Sequence, residues 1–335
     1  MGISEFYGET DEVESRATLE RALELGVTLF DTADMYGMGA NEAFLAPFVR
    51  AHRDRVVIAT KFGYARSVER PDDWSLDNRP AFIRGALERS LKRLGVDTID
   101  LYYMHRRDPG VPLEDSVGAM ARFVEEGKVR SLGLCAVSAD ELRVAHAVHP
   151  IAALQSEGSI FTRDIERDVI PAAVELGVTV VPYSPLGRGM LTGRTFDAAL
   201  GADDARQNFP RFSAENRNAN ARLVERIESV AAGMSVTPAQ LALAWLYARA
   251  ADMGVACVPI RAHANASVLK RIWLRLRFAP VKTPCRRLLP LPQPCRAWRC
   301  DVCRTPHRIP GAAPPGRFGR AWAFTKHGRA VARAT

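Results

Sequence analysis

Four side chains that differ in proton affinity stand at or just beyond the ends of short apolar runs. Asp31 and Tyr36 follow Val27-Thr28-Leu29-Phe30, Lys61 follows Val56-Val57-Ile58-Ala59-Thr60, and His105 closes Ile99-Asp100-Leu101-Tyr102-Tyr103-Met104. Runs of this length suit buried strands and are too short for helices. In a parallel barrel all strand C-termini open on one face, and catalytic residues gather there. A carboxylate, a phenol, an ammonium and an imidazole would then converge on one pocket, where they could hold, give and orient protons. Singly, each has a plainer reading: Asp31 a cap, Lys61 a solvated charge, His105 a packed core histidine. Joint placement at three strand ends argues against coincidence.

The elements that would carry them recur along the chain. A helix–Gly–strand phrase appears at Leu25-Gly26-Val27, Leu94-Gly95-Val96, Glu126-Gly127-Lys128 and Leu176-Gly177-Val178. Repetition of this kind marks βα units and a mostly parallel sheet. Strands are expected at Val27–Asp31, Val56–Thr60, Ile99–Tyr103, Val129–Leu134, Ala152–Ser156, Thr179–Tyr183 and Val255–Pro259. Helices are expected at Glu14–Leu25, Asn41–Arg50, Pro80–Leu94, Leu113–Glu126, Ser138–His146, Ile165–Leu176, Ala219–Ala232 and Pro238–Arg249. Ser138 with Glu141, and Thr237 with Gln240, read as capping boxes. Seven strands alternating with helices point to an α/β fold, a (β/α)8 TIM barrel, expected to be incomplete at its N-terminal strand and its C-terminal helix. A doubly wound sheet is the rival, but no Gly-rich dinucleotide turn opens a helix. Tyr102 and Tyr103 are expected to pack the barrel, and Asp108 to cap a turn with Pro109-Gly110.

Charge divides the chain. Its 335 residues carry a net charge of +8, yet residues 261–335 hold 17 Lys and Arg against one acid, and residues 1–260 carry −8. Residues 1–260 are therefore read as one acidic barrel domain, and 261–335 as a basic tail rich in Pro, Arg and Cys, disordered or out of frame. Only Cys135 and Cys257 lie in the barrel region, which suits a reducing compartment. No apolar run approaches the ~18–20 residues of a membrane span, and Met1–Tyr7 lacks the regions of a signal peptide. A cytoplasmic location with no membrane partner is the expectation.

Several phrases resemble those of the aldo-keto reductases, in the branch acting on small aldehydes and ketones. They are Phe30-Asp31-Thr32-Ala33-Asp34-Met35-Tyr36-Gly37, Ala59-Thr60-Lys61-Phe62-Gly63, Asp100-Leu101-Tyr102-Tyr103-Met104-His105, Ala153-Leu154-Gln155-Ser156-Glu157 and Pro182-Tyr183-Ser184-Pro185-Leu186-Gly187-Arg188-Gly189. They fall in family order across residues 1–260. The resemblance implies an NADP(H)-dependent carbonyl reductase, with NAD(H) as the alternative cofactor and a small carbonyl compound as substrate. It assigns Tyr36 as proton donor, Lys61 as the cation that lowers its pKa from the ordinary ~10, and Asp31 as the carboxylate holding Lys61. His105 would orient the substrate carbonyl, much as an oxyanion donor does. Gln155 would meet the nicotinamide carboxamide and Tyr183 would stack on the nicotinamide ring. Ser184, Leu186 and Arg188 would lie along the pyrophosphate, with Arg188 supplying charge.

The chain departs from the family pattern in four places. Cys135-Ala136 stands where the family has Ser and a polar residue, and a thiol is the weaker donor beside the carboxamide. Gly158 replaces an aromatic and would enlarge the pocket. The first strand would lie before Met1. After Pro259-Ile260 the Gly-Thr/Ser turn and basic helix that hold an adenosine 2′-phosphate give way to Arg261-Ala262-His263, with Lys270 and Arg271 beyond.

Two rival readings follow from these departures. One is an inactive or impaired barrel of the same family. The other is a basic tail acting as a nucleic-acid module by phosphate electrostatics, or as a zinc module through Cys295, Cys300, Cys303 and His307. Neither nucleic acid nor a metal site is the favoured expectation, and the sequence does not specify an oligomeric state.

Overall fold

The computed structural model describes residue 4, residues 11–192 and 204–261, and two short strands in the tail. Helix α1 (Glu12–Glu24) leads to β1 (Leu29–Asp31), and α2 (Ala40–Ala51) to β2 (Val57–Phe62). Four further units follow: α3 (Pro80–Leu94) and β3 (Leu101–Met104), α4 (Leu113–Glu125) and β4 (Leu132–Cys135), α5 (Ala139–Val148) and β5 (Ile151–Glu157), α6 (Val169–Leu176) and β6 (Thr179–Tyr183). All six strands pair in parallel in sequence order. Residues 256–260 extend the sheet as a seventh, irregular strand. The Val180 amide donates to the Ala256 carbonyl, and the Val258 and Ile260 amides donate to the Val180 and Pro182 carbonyls. Helices α7 (Ala214–Gly233) and α8 (Pro238–Asp252) precede it.

Each helix–Gly–strand phrase turns where expected, because Gly26, Gly95, Gly127 and Gly177 all have φ between 64° and 89°. That left-handed region is open to glycine at little cost. Both capping boxes form as expected.

Strand alternation sorts side chains between two cores. Leu101, Tyr103, Ala59, Cys135, Ala153 and Val181 form an inner cluster, and Leu29 of the first strand and Ile260 of the last both pack on it. The sheet is therefore curled into a barrel. Ile58, Phe62, Tyr102, Met104, Leu132 and Leu154 face the other way, into the larger core beneath the helices. Both tyrosines thus pack as expected, one on each side of the strand.

Gly133 marks how closely the inner layer is filled. A Cβ there would collide with the Tyr103 ring and lie 3.1 Å from the Ala153 carbonyl oxygen. We expect Gly133→Ala to destabilise the fold by about 1–3 kcal/mol, the usual range for overpacking. Thermal unfolding measures this, and an unchanged midpoint would contradict the packing described.

Several boundaries differ from expectation. The stretch expected as strand Val129–Leu134 begins with a single bridge between Val129 and Ile99, and regular pairing starts only at Leu132. The helix expected over Ile165–Leu176 is broken into a 3-10 turn, Asp164–Glu166, and α6 from Val169. Arg163 and Arg249 both pair with Glu166, which fixes that turn against α8. Helix α7 begins at Ala214 rather than Ala219, because the Ser213 hydroxyl caps it by accepting from the Asn216 amide. In the tail, β7 (Ala323–Phe324) and β8 (Ala330–Val331) pair antiparallel, in a stretch free of proline after Pro315. Residues 1–3, the remainder of the tail, and the proposed zinc ligands Cys295, Cys300, Cys303 and His307 lie outside the described residues.

Candidate active site

The alternation that fills the barrel also aims its polar residues. Asp31 follows Leu29 on the inward face of β1, Lys61 follows Ala59 on β2, and Gln155 follows Ala153 on β5. Pairing continues beyond the end of β1: the Thr32 amide donates to the Ala59 carbonyl and the Asp34 amide to the Lys61 carbonyl. The chain then turns tightly at Tyr36–Gly39, where Gly37 and Met38 take left-handed backbones, so Tyr36 lies in a tight turn anchored to β2.

These elements bring the four expected side chains together. The Lys61 ammonium is fully buried and donates to Asp31 Oδ1, and its second bond, 2.6 Å long, is to the Thr32 carbonyl. It lies 5.3 Å from the centre of the Tyr36 ring. Tyr36 and His105 meet edge to face, with ring centres 5.8 Å apart. The His105 backbone amide donates to the Phe62 carbonyl at 2.7 Å, which extends the ladder from β2 to this residue.

Burial sets the electrostatics. It would lower the Lys61 pKa, but the adjacent Asp31 carboxylate outweighs it, so Lys61 stays charged. Burial also holds His105 well below the ordinary histidine range, reinforced by Lys61 and Arg106. The imidazole is neutral at physiological pH. For Tyr36 burial again dominates and pushes the phenol up to about 12, although Lys61 pulls it down. Lys61 therefore acts in the expected direction but does not bring the net value below the ordinary one. The reason is that the same pocket removes the phenolate from water.

Other expected site residues have more specific partners. Gln155, matched with the nicotinamide carboxamide by resemblance, donates its side-chain amide to Asp31 Oδ2 at 2.9 Å. It belongs to the Asp31–Lys61 cluster in this state. Cys135 is buried as the register partner of Gln155, and burial pushes its thiol up to about 12. Tyr183 ends β6 opposite Glu157. Ser184 and Arg188 both have left-handed backbones, at φ 53° and 58°, conformations that cost non-glycine residues about 1–3 kcal/mol. Leu186 is buried in a second core with Phe161, Met190 and Leu191.

Five contacts gave no signal in the sequence. The Arg188 guanidinium lies over the Phe209 ring at 3.9 Å, and both Arg188 and Arg211 reach Glu157. Tyr64 meets His105 edge to face at 5.4 Å and Trp74 at 6.0 Å, and Trp74 is 48% exposed. An aromatic wall thus leads from His105 towards solvent.

Asp34, two residues before Tyr36, is a buried titratable group outside this cluster. Burial, with Glu42 adding to it, pushes its carboxyl from 3.8 up to about 8. The fold prefers its neutral form, so the stability Asp34 contributes is complete below pH 3.8 and is lost as the pH rises through about 8. We expect Asp34→Asn to melt higher than the parent at pH 9, with the gap closing towards pH 4. Thermal melts across that range would reveal a gap that is instead constant, and this would remove the assignment.

The sequence model of the Aldo/keto reductase family matches residues 1–270. A probable aldo-keto reductase 1 from Glycine max is 44% identical over 255 residues, spanning 76% of this chain and 73% of that protein. A glycerol dehydrogenase from Gluconobacter oxydans superposes with a TM-score of 0.76 at 25% identity, over 95% of this chain and 93% of that one. An aldo-keto reductase from Klebsiella pneumoniae, solved in complex with NADPH, shares the fold with a TM-score of 0.66 at 24% identity, covering 88% of this chain and 90% of that one. No single helix among the described residues is long and apolar enough to cross a membrane.

Proposed function

The chain belongs to the aldo/keto reductase family, and from that premise we propose that it reduces the carbonyl of a small aldehyde or ketone with NADPH, Tyr36 giving the proton. One observation carries this reading: the buried Lys61 ammonium, held by Asp31 and the Thr32 carbonyl, faces the ring of Tyr36.

Protonating a carbonyl oxygen requires a donor that gives up its proton as negative charge develops there. Lys61 opposes the cost of forming a buried phenolate, and Asp31 keeps Lys61 charged and fixed. His105, held neutral by burial, would orient the carbonyl by hydrogen bonding rather than by charge. Tyr64 and Trp74 would offer an apolar face to the rest of the substrate.

The residues present fit a nicotinamide dinucleotide phosphate. Among the described residues, Arg188 Nε and Arg261 Nη1 are buried without hydrogen-bond partners, and burial lowers the Arg261 pKa to about 10. Buried cationic donors left unspent suit phosphate oxygens. Gln155 and Cys135 would lie beside the nicotinamide, Tyr183 against its ring, and Ser184, Leu186 and Arg188 along the diphosphate. When bound there, such a dinucleotide would supply the hydride that the reduction requires. NADPH and NADH oxidation against a panel of small aldehydes, ketones and quinones tests the reading, and no turnover on any member would end it.

A further inference from the structure

We propose that Asn41 and Glu42 are positioning residues for the acid–base cluster, an inference that rests on the reading of Tyr36 as proton donor. The two are consecutive in the first turn of α2, and they are only 3% and 0% exposed. Asn41 Oδ1 accepts from the Thr32 hydroxyl at 2.8 Å, and its Nδ2 donates to the Ser4 hydroxyl at 2.8 Å. Glu42 Oε1 accepts from the Thr60 hydroxyl at 2.6 Å, and Oε2 accepts from Arg93 Nε at 2.6 Å.

Thr32 follows Asp31, and its carbonyl receives the Lys61 ammonium. Thr60 precedes Lys61. Both threonines are fully buried, and they alternate with Asp31 and Lys61, so their hydroxyls face α2 while the charged pair faces the barrel interior. Pinning an outward side chain fixes the rotation of a strand about its own axis. That rotation decides where the next, inward side chain points. One helical turn therefore sets the aim of both members of the Asp31–Lys61 pair.

The same turn is coupled to Tyr36. Arg93 balances the charge of Glu42 and passes the Tyr36–Gly39 turn so closely that a Cβ at Gly39 would lie 2.6 Å from Arg93 Cδ. A carboxylate taken wholly out of water is costly to keep, and apolar residues often replace such pairs without loss of stability. Retaining a charge here therefore points to orientation rather than to packing strength.

The test compares variants with and without the pinning bond. Asn41→Ala is expected to lower kcat at least tenfold, with NADPH affinity, measured by nicotinamide fluorescence, unchanged within threefold. Thr60→Val should behave like Asn41→Ala, and Thr60→Ser like the parent. A nitrogen-edited NMR spectrum reads the clamp without turnover: the Lys61 ammonium resonance, protected in the parent, is expected to broaden through exchange in Asn41→Ala and Thr60→Val. Parent-like kcat and an intact ammonium signal in both variants, with only a lower melting temperature, would overturn the proposal. Tyr36→Phe runs alongside. If it stays active, the proton-donor reading fails, while the ammonium signal still reports on the clamp.

Discussion

Tyr36→Phe is expected to abolish carbonyl reduction while leaving the fold and cofactor affinity nearly unchanged. The ring is buried, and phenylalanine preserves its edge-to-face contact with His105 and its position beside the Lys61 ammonium. Only the hydroxyl is lost, and on the proposed reading it gives its proton as charge develops on the carbonyl oxygen. The loss should therefore fall on kcat, by roughly 10²–10⁴-fold, the range for a positioned general acid. Stopped-flow or steady-state NADPH consumption measures it, and fluorescence titration measures the cofactor. Turnover within tenfold of the parent would remove Tyr36 from the role.

Lys61→Met should be nearly as damaging to activity and far more so to stability. Methionine matches the aliphatic stem but deletes the ammonium, leaving Asp31 with the Gln155 amide as its side-chain partner among the described residues. Stranding one half of a buried ion pair typically costs about 3–5 kcal/mol. The double variant Asp31→Asn/Lys61→Met removes both charges and should regain most of the lost melting temperature without regaining activity. Rescue of both together would mean that Lys61 serves structure alone.

The pH dependence separates the electrostatic role further. If Tyr36 is the proton donor as proposed, the reverse alcohol oxidation needs its phenolate, so that rate should rise with pH towards the phenol's value of about 12. Lys61 lowers that value, and its removal should push the rise to still higher pH. Reduction uses the protonated phenol, and on this account Tyr36 contributes no fall in rate through neutrality. A parent-like oxidation profile in any folded Lys61 variant would show that the ammonium does not act on the phenol.

The order of strands, their inward and outward faces and the convergence of Asp31, Lys61 and His105 were all implicit in local pattern. Strand alternation has a period of two, and apolar runs ending in polar residues mark both the face and the end of a strand. The glycines after α1, α3 and α6 marked turns for an equally local reason, since each takes a backbone conformation that other residues disfavour. Boundaries such as Leu132 and Val169 were less visible, because they depend on where neighbouring strands and the Glu166 ion pairs stop or resume regular pairing.

What periodicity could not contain is which distant groups share a bond. Gln155 reaches Asp31 across 124 residues, Thr60 reaches Glu42 across 18, and Arg211 pairs with Glu157 from a separate segment. Each of these contacts depends on how far the sheet curls and how α2 and residues 204–212 settle on its rim. The net acidity of Tyr36 has the same origin. The sequence announces a lysine that should lower the phenol pKa, but only the closed barrel sets how much water is excluded, and burial there outweighs the lysine. Residue types and spacing specify the chemical groups and the strand ends that bear them, while partners, protonation and aim arise from long-range closure.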